Sequence, residues 1–231
     1  IKPLPARSGP AASMLAQLQE GWAYVSGFAP VRTILLLFAL VSLMGMPYIV
    51  LMPIFAAQVL HGGPHTLGTL MGATGVGALV SAISLALRKT VLGLGRMIPI
   101  AAATFGAGLV LFGLSHVMWL SVLLMLLTGF GMMQGMAASN TIIQTVVPED
   151  RRGRVMSYYT VAFVGMAPFG SLLAGFLAHK LGAQHTVIIT GSVVILGAIW
   201  FATRLPAIRE QIRPIYQAMG ILPPVVENAA G

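Results

Sequence analysis

The sequence predicts an all-α membrane protein, a single bundle of six transmembrane helices. Three observations carry that prediction. Hydrophobic residues fill 57% of the 231 positions and charged residues only 8%, with a mean hydropathy of +0.90. A soluble domain carries about 25% charged residues and could not hide this much apolar surface. Second, the apolar residues come in runs close to or above the ~20 that cross a bilayer's hydrocarbon. Third, the basic residues stand between these runs and form no patch on a soluble fold, so the net charge of +8 does not point to nucleic acid. Strand alternation is absent, which argues against a β-barrel. The chain contains no cysteine, which excludes disulfides and thiolate chemistry.

The elements follow in order. The opening "IKPLPARSGP" lacks the apolar core of a signal peptide. The chain starts at Ile1 rather than Met, and we expect it to be part of a longer protein. Met14, Leu15, Leu18, Trp22 and Val25 recur at helical spacing, as in a helix lying in the headgroup region. Residues 1–32 therefore read as a cytoplasmic linker with an amphipathic helix. The bundle occupies 33–203. Its spans are Thr33–Leu60, Thr66–Leu87, Met97–Leu114, Met118–Val147, Arg154–Leu181 and His185–Thr203. Trp119 and Trp200 fall at predicted interfaces. Residues 204–231 read as a cytoplasmic tail. In it Leu205, Ile208, Ile212, Ile215 and Met219 form an apolar stripe, Pro214 is expected to break or kink the helix, and "PPVVENAAG" is expected to be disordered.

Charge predicts the orientation. Of 13 lysines and arginines, all but Lys180 lie at one end of the spans. They are Lys2, Arg7 and Arg32; Arg88, Lys89 and Arg96; Arg151, Arg152 and Arg154; and Arg204, Arg209 and Arg213. Lys and Arg are retained in the cytoplasm, so both ends of the chain are expected there. "PEDRRGR" (148–154) then reads as a cytoplasmic turn, with Pro148 suited to a helix start and Glu149 and Asp150 to its positive end.

The interior of the spans holds no ionisable residue. Such residues usually mark ion or proton paths, so a coupling carboxylate is expected outside this segment. Tyr48, Gln58, Gln134, Asn140, Gln144 and several serines and threonines are the polar groups at depth. Either they bond neighbouring helices or they line a path; Tyr48, Gln134, Asn140, Gln144 and Met166 are the path candidates. Pro47 and Pro53 in "GMPYIVLMPIF", and Pro168 in "GMAPFGS", are candidate hinges. Broken helices are common near transporter sites. Small residues four apart (Gly68 and Gly72, Ala73 and Gly77, Gly131 and Gly135, Ser171 and Gly175) suit close helix packing, static or sliding. Met132, Met133 and Met136 supply adaptable apolar surface. His61, His65, His116, His179 and His185 fall in or beside the outer loops. No catalytic set, metal-ligand motif or phosphate loop stands out, so neither an enzyme nor a cofactor is expected.

Three blocks carry a resemblance: "SLMGMPYIVLMPIFA", "GFGMMQGMAASNTIIQTVVPEDRRGRVMSYYTVAFVGMAPFGSLLAGFLAHKLGA" and "LPAIREQIRPIYQAMGILP". The chain resembles the C-terminal half of a major facilitator superfamily transporter. It is most similar to the bacterial subgroup of the enterobactin exporter and the transmembrane secretion effectors. The resemblance implies helices seven to twelve of a twelve-helix fold in the bacterial inner membrane. It also implies an N-terminal six-helix half as partner, a small amphipathic substrate such as a siderophore or drug, and proton-driven alternating access. Helices seven, eight, ten and eleven would face the path, with nine and twelve outside. The implied cytoplasmic gate candidates are Arg88, Arg96, Glu149, Asp150, Arg151, Arg152 and Arg154. The loop holding Arg88 and Arg96 has no Asp, and His179 stands where many relatives carry an acid. Two other readings remain open: a half-size homodimer, and a non-transporting scaffold or truncated gene product.

Overall fold

The computed structural model describes residues 14–88 and 90–222. Lys2, Arg7, Lys89 and the tail "PPVVENAAG" lie outside the described residues. Among the described residues every regular element is helical. A first helix, α1, covers Met14–Gly27. Six helices long and apolar enough to cross a membrane follow. They are α2 Ala29–Val59, α3 Pro64–Ala86, α4 Leu94–Leu114, α5 Met118–Val146, α6 Glu149–Leu181 and α7 Ala183–Ala218.

Two boundaries differ most from the sequence reading. The "PEDRRGR" stretch is not a turn. Pro148 caps α6 with extended ψ of 148°, and Glu149 and Asp150 form the first turn of that helix, where its dipole favours acids. Only residues 147 and 148 separate α5 from α6. At the other end Pro214 does not end a helix: span and tail form one continuous helix, with Pro206 and Pro214 inside it. Each proline withholds one N–H from the carbonyl four residues back. Those carbonyls belong to Ala202 and Glu210, both exposed residues where another donor can take over. Between α6 and α7 the chain reverses on Gly182 alone, at φ +83°, a region that glycine enters without strain.

The bundle is assembled through small residues. In lipid there is no hydrophobic gain from pairing two apolar helices, so close packing has to supply the attraction. Helix α4 packs on both α5 and α7, and α3 packs on α5. At the α3–α5 crossing a Cβ on Gly77 would sit 1.9 Å from the Leu126 carbonyl oxygen. One on Gly129 would sit 2.0 Å from that of Thr74. Gly131 meets the backbone of α4 at Ala101 and Phe105, and Gly106 and Gly191 meet each other where α4 crosses α7. Aromatic rings fill the wider gaps: Phe55 stacks on Phe112 at 4.6 Å, and Tyr48 stands edge-on to Phe105.

Candidate functional site

The first notable site is a crossing of two broken helices. Helix α2 departs from α-geometry at Val41–Gly45 and at Phe55–Val59, and α6 does so at Val161–Gly165. All three are π-turns, and each adjoins one of the hinge prolines, Pro47, Pro53 or Pro168. A π-turn spreads the register change that a missing N–H imposes, and such turns are frequent at functional sites. The π-turns at 41–45 and 161–165 pack on each other. The Ser42 hydroxyl donates to the Phe163 carbonyl, close to the stretch where Pro168 offers no N–H. This is how membrane helices tolerate a break: a neighbouring hydroxyl re-satisfies the backbone. Gly170 lets the helices touch, since a Cβ there would lie 2.4 Å from the Leu43 oxygen. Met166 follows the α6 break and is half-buried. The signal was present in the sequence as a near-repeat, "VSLMGMP" at 41–47 and "VAFVGMAP" at 161–168, and Ser42 was missed because serine is common in membrane helices.

The polar candidates separate into two groups. Gln134 is 6% exposed. Its Oε1 accepts from Ser81 at 2.6 Å and from Ser84 at 3.4 Å, so its amide is engaged with α3. Tyr48 is also buried, its ring edge-on to Phe105 of α4. Asn140 is half-buried and Gln144 exposed, and the Gln144 amide donates to Asn140 Oδ1 one helical turn away. Tyr48 and Gln134 thus join helices, while Asn140 and Gln144 remain reachable from outside the bundle.

The arginine end is organised around α1, a feature that the sequence reading placed in the headgroup layer. Val25 of α1 is buried in the core, and Gly21 is buried against Tyr158 and Arg154 of α6. Arg154 pairs with Glu20 of α1. The Arg151 guanidinium lies 5.2 Å from the centre of the Tyr24 ring and 3.5 Å from Asp150. Trp22 tilts against Tyr158 with ring centres 6.0 Å apart. Glu20, Tyr24, Asp150, Arg151 and Arg154 line an open pocket of about 710 Å³. Burial raises the Tyr24 phenol above its ordinary range, and Arg151 partly opposes this. Arg152 is half-buried and its Nε has no hydrogen-bond partner. Arg88 donates to the Leu92 carbonyl at 3.3 Å and touches Met97 Sδ. Among the described residues, neither Arg88 nor Arg96 reaches a carboxylate. Glu20 escaped the sequence reading because nothing in the spacing ties it to Arg154, 134 residues away.

Side-chain exposures of 37% for Arg154 and 60% for Glu20 set the scale of this pair. A double-mutant cycle with Glu20→Gln and Arg154→Gln should return a coupling of about 0.5 kcal/mol. Thermal unfolding in detergent would measure it. A coupling near zero would remove the pair from the forces holding α1.

Six crossing helices, with breaks in the first and fifth and the basic residues gathered at one end, fit one six-helix half of the major facilitator fold. The chain belongs to the transmembrane secretion effector family, whose model matches residues 2–227. Over 127 residues it is 33% identical to the multidrug resistance protein MdtG of Escherichia coli O6:K15:H31 (strain 536 / UPEC). That alignment covers 52% of this chain and 29% of the relative. The MdtG proteins of strains O1:K1 / APEC and K12 / DH10B are 32% identical over the same shares. The matched part is thus under a third of the relatives' length. No solved structure matches the chain. Helices and family together make this a multi-pass protein of the bacterial inner membrane.

Proposed function

We propose that this chain is the C-terminal half of a secondary exporter that moves small amphipathic molecules, siderophore- or drug-like, by alternating access. The observation that carries this reading is the face left open by α3 and α6. Only 22% of the apolar 18-residue stretch of α3 and 11% of that of α6 are buried within the bundle. Gly68, Gly72 and Gly75 of α3 and Gly175 of α6 have no atom within 4 Å of where a Cβ would stand. Lipid contact does not require glycine, whereas a further helix approaching closely does. An N-terminal six-helix half of the same protein would cover this face and enclose the substrate path. The arginine end would face the cytoplasm by the positive-inside rule. Arg152, with its unsatisfied Nε, would supply the charge for a gate contact with the opposite half. A proton gradient would drive export through a carboxylate in that half, since the interior of the spans here has none.

The test is dye or drug efflux from cells expressing the protein at its native length. Asn140→Leu should lower efflux about tenfold while membrane expression holds, and an uncoupler should abolish the remainder. Arg152→Ala should slow turnover more than it weakens substrate binding. Unchanged efflux in Asn140→Leu would remove that residue from the path, and equal losses of rate and binding in Arg152→Ala would remove the gate. The open glycine face could also take a second copy of the chain. A native product near 24 kDa, against one about twice that, would favour the homodimer.

A further inference from the structure

On the arginine end, away from the pocket at α1, lies a second cavity of about 240 Å³. It runs between the start of α4 and the last turns of α7. Ile34, Ile142 and Phe201 contribute to its walls, all at least 97% buried from solvent. Arg96 from α4 and Arg209 and Arg213 from α7 also line it. Four carboxylates occur among the described residues, Glu20, Glu149, Asp150 and Glu210, and none lines this cavity. None pairs with Arg96, Arg209 or Arg213 either.

We propose that this groove binds an anionic phospholipid, with an acyl chain along the apolar wall and the phosphate against the three guanidiniums. The chemistry commits to a lipid for two reasons. An apolar trough satisfies nothing on a free phosphate, and three guanidiniums with no carboxylate partner among the described residues leave a zwitterionic or neutral lipid's headgroup incompletely matched. The location fits as well, because the basic ends of membrane helices stand at headgroup depth, and basic pockets between helices there hold anionic headgroups. Arginine suits the task, since its planar fork meets phosphate oxygens in pairs. The lipid would join α7 to α4 across a gap that the described residues leave open, and it would give Arg96 a role apart from any gate.

The experiment uses the protein at its native length, delipidated in detergent, with phosphatidylglycerol and phosphatidylcholine of identical chains as probes. Binding is read by native mass spectrometry. Phosphatidylglycerol should bind in preference, and Arg209→Gln/Arg213→Gln should weaken it about 25-fold, at about fivefold per guanidinium. Arg204→Gln should leave the preference intact, because Arg204 lies over the Trp200 ring outside this groove. Gly95→Leu offers a test without a charge change. A Cβ there would sit 3.5 Å from Leu205 Cδ1, so the variant can fold, and its side chain would plug the groove and lower binding of the lipid. Equal affinity for both lipids would overturn the proposal. So would an Arg204→Gln loss as large as that of the double variant, or competition by glycerol phosphate alone at matched concentration. Binding that appears only in a chain ended after Leu222 would assign the groove to the tail instead, and would overturn it too.

Discussion

Gly129→Leu is expected to lower the thermal midpoint and the yield of the folded bundle sharply. The glycine faces the Thr74 carbonyl of α3 so closely that even a methyl group would lie 2.0 Å from its oxygen. Thr74 contributes backbone at this contact and cannot rotate away, so α3 must leave α5. Overpacking of ordinary cores costs about 1–3 kcal/mol, and a backbone contact belongs at or above the top of that range. A loss of about 3 kcal/mol lowers the folded ratio about 150-fold, a large share of a typical stability of about 5–15 kcal/mol. The readout is the thermal midpoint and yield of a fluorescently tagged protein on size-exclusion chromatography. Gly175→Leu is the matched control. It adds the same side chain to a glycine with open space around it. It should leave the midpoint of the isolated bundle in place, while under the proposed function it lowers export by obstructing the other half. Equal loss from both variants would mean that the difference between closed and open glycines carries no weight.

The contrast between these two glycines shows what was legible in the sequence. That helices cross the membrane six times followed from composition and run length, because the bilayer requires long apolar helices whatever their partners. Small-residue spacing marked the close crossings, but it could not say which pairs met. Gly77 closes on α5 while Gly68 and Gly72, on the same helix with the same spacing, meet nothing. The difference is set by the rotation of α3 about its axis, which the partners decide. Gln134 is similar. Its depth was readable, but its direction depends on Ser81 and Ser84, 53 and 50 residues away. At the arginine end the basic cluster was plain and its partner was not, since exposed Glu20 carries no local mark. Helix ends misled for a local reason. Charges suggested a turn at 148–154, yet two acids followed by arginines also suit the first turns of a helix, and the structure takes that alternative.

Gly170→Leu should separate the two broken helices, and its interaction with Ser42 should reveal whether the crossing acts as one unit. A Cβ on Gly170 would stand 2.4 Å from the Leu43 oxygen and 2.8 Å from Pro47 Cγ. Both belong to the part of α2 in or beside its π-turn, so the added side chain displaces α6 by about 1 Å to regain ordinary contact distance. The cost should be about 2 kcal/mol in unfolding free energy. That displacement also strains the bond from Ser42 to the Phe163 carbonyl, seven residues before Gly170 on the same helix. Ser42→Ala alone should cost about 1 kcal/mol, since it leaves a carbonyl without its donor in a place water does not reach. If the crossing is one unit, the double variant costs less than the sum, because the bond removed by Ser42→Ala has already been weakened by the displacement. A shortfall of about 0.5 kcal/mol or more in the cycle would establish the coupling. Strict additivity would mean that Gly170 and Ser42 hold the helices independently. The paired π-turns would then be local accommodations of Pro47 and Pro168 rather than a joint about which the two spans move together.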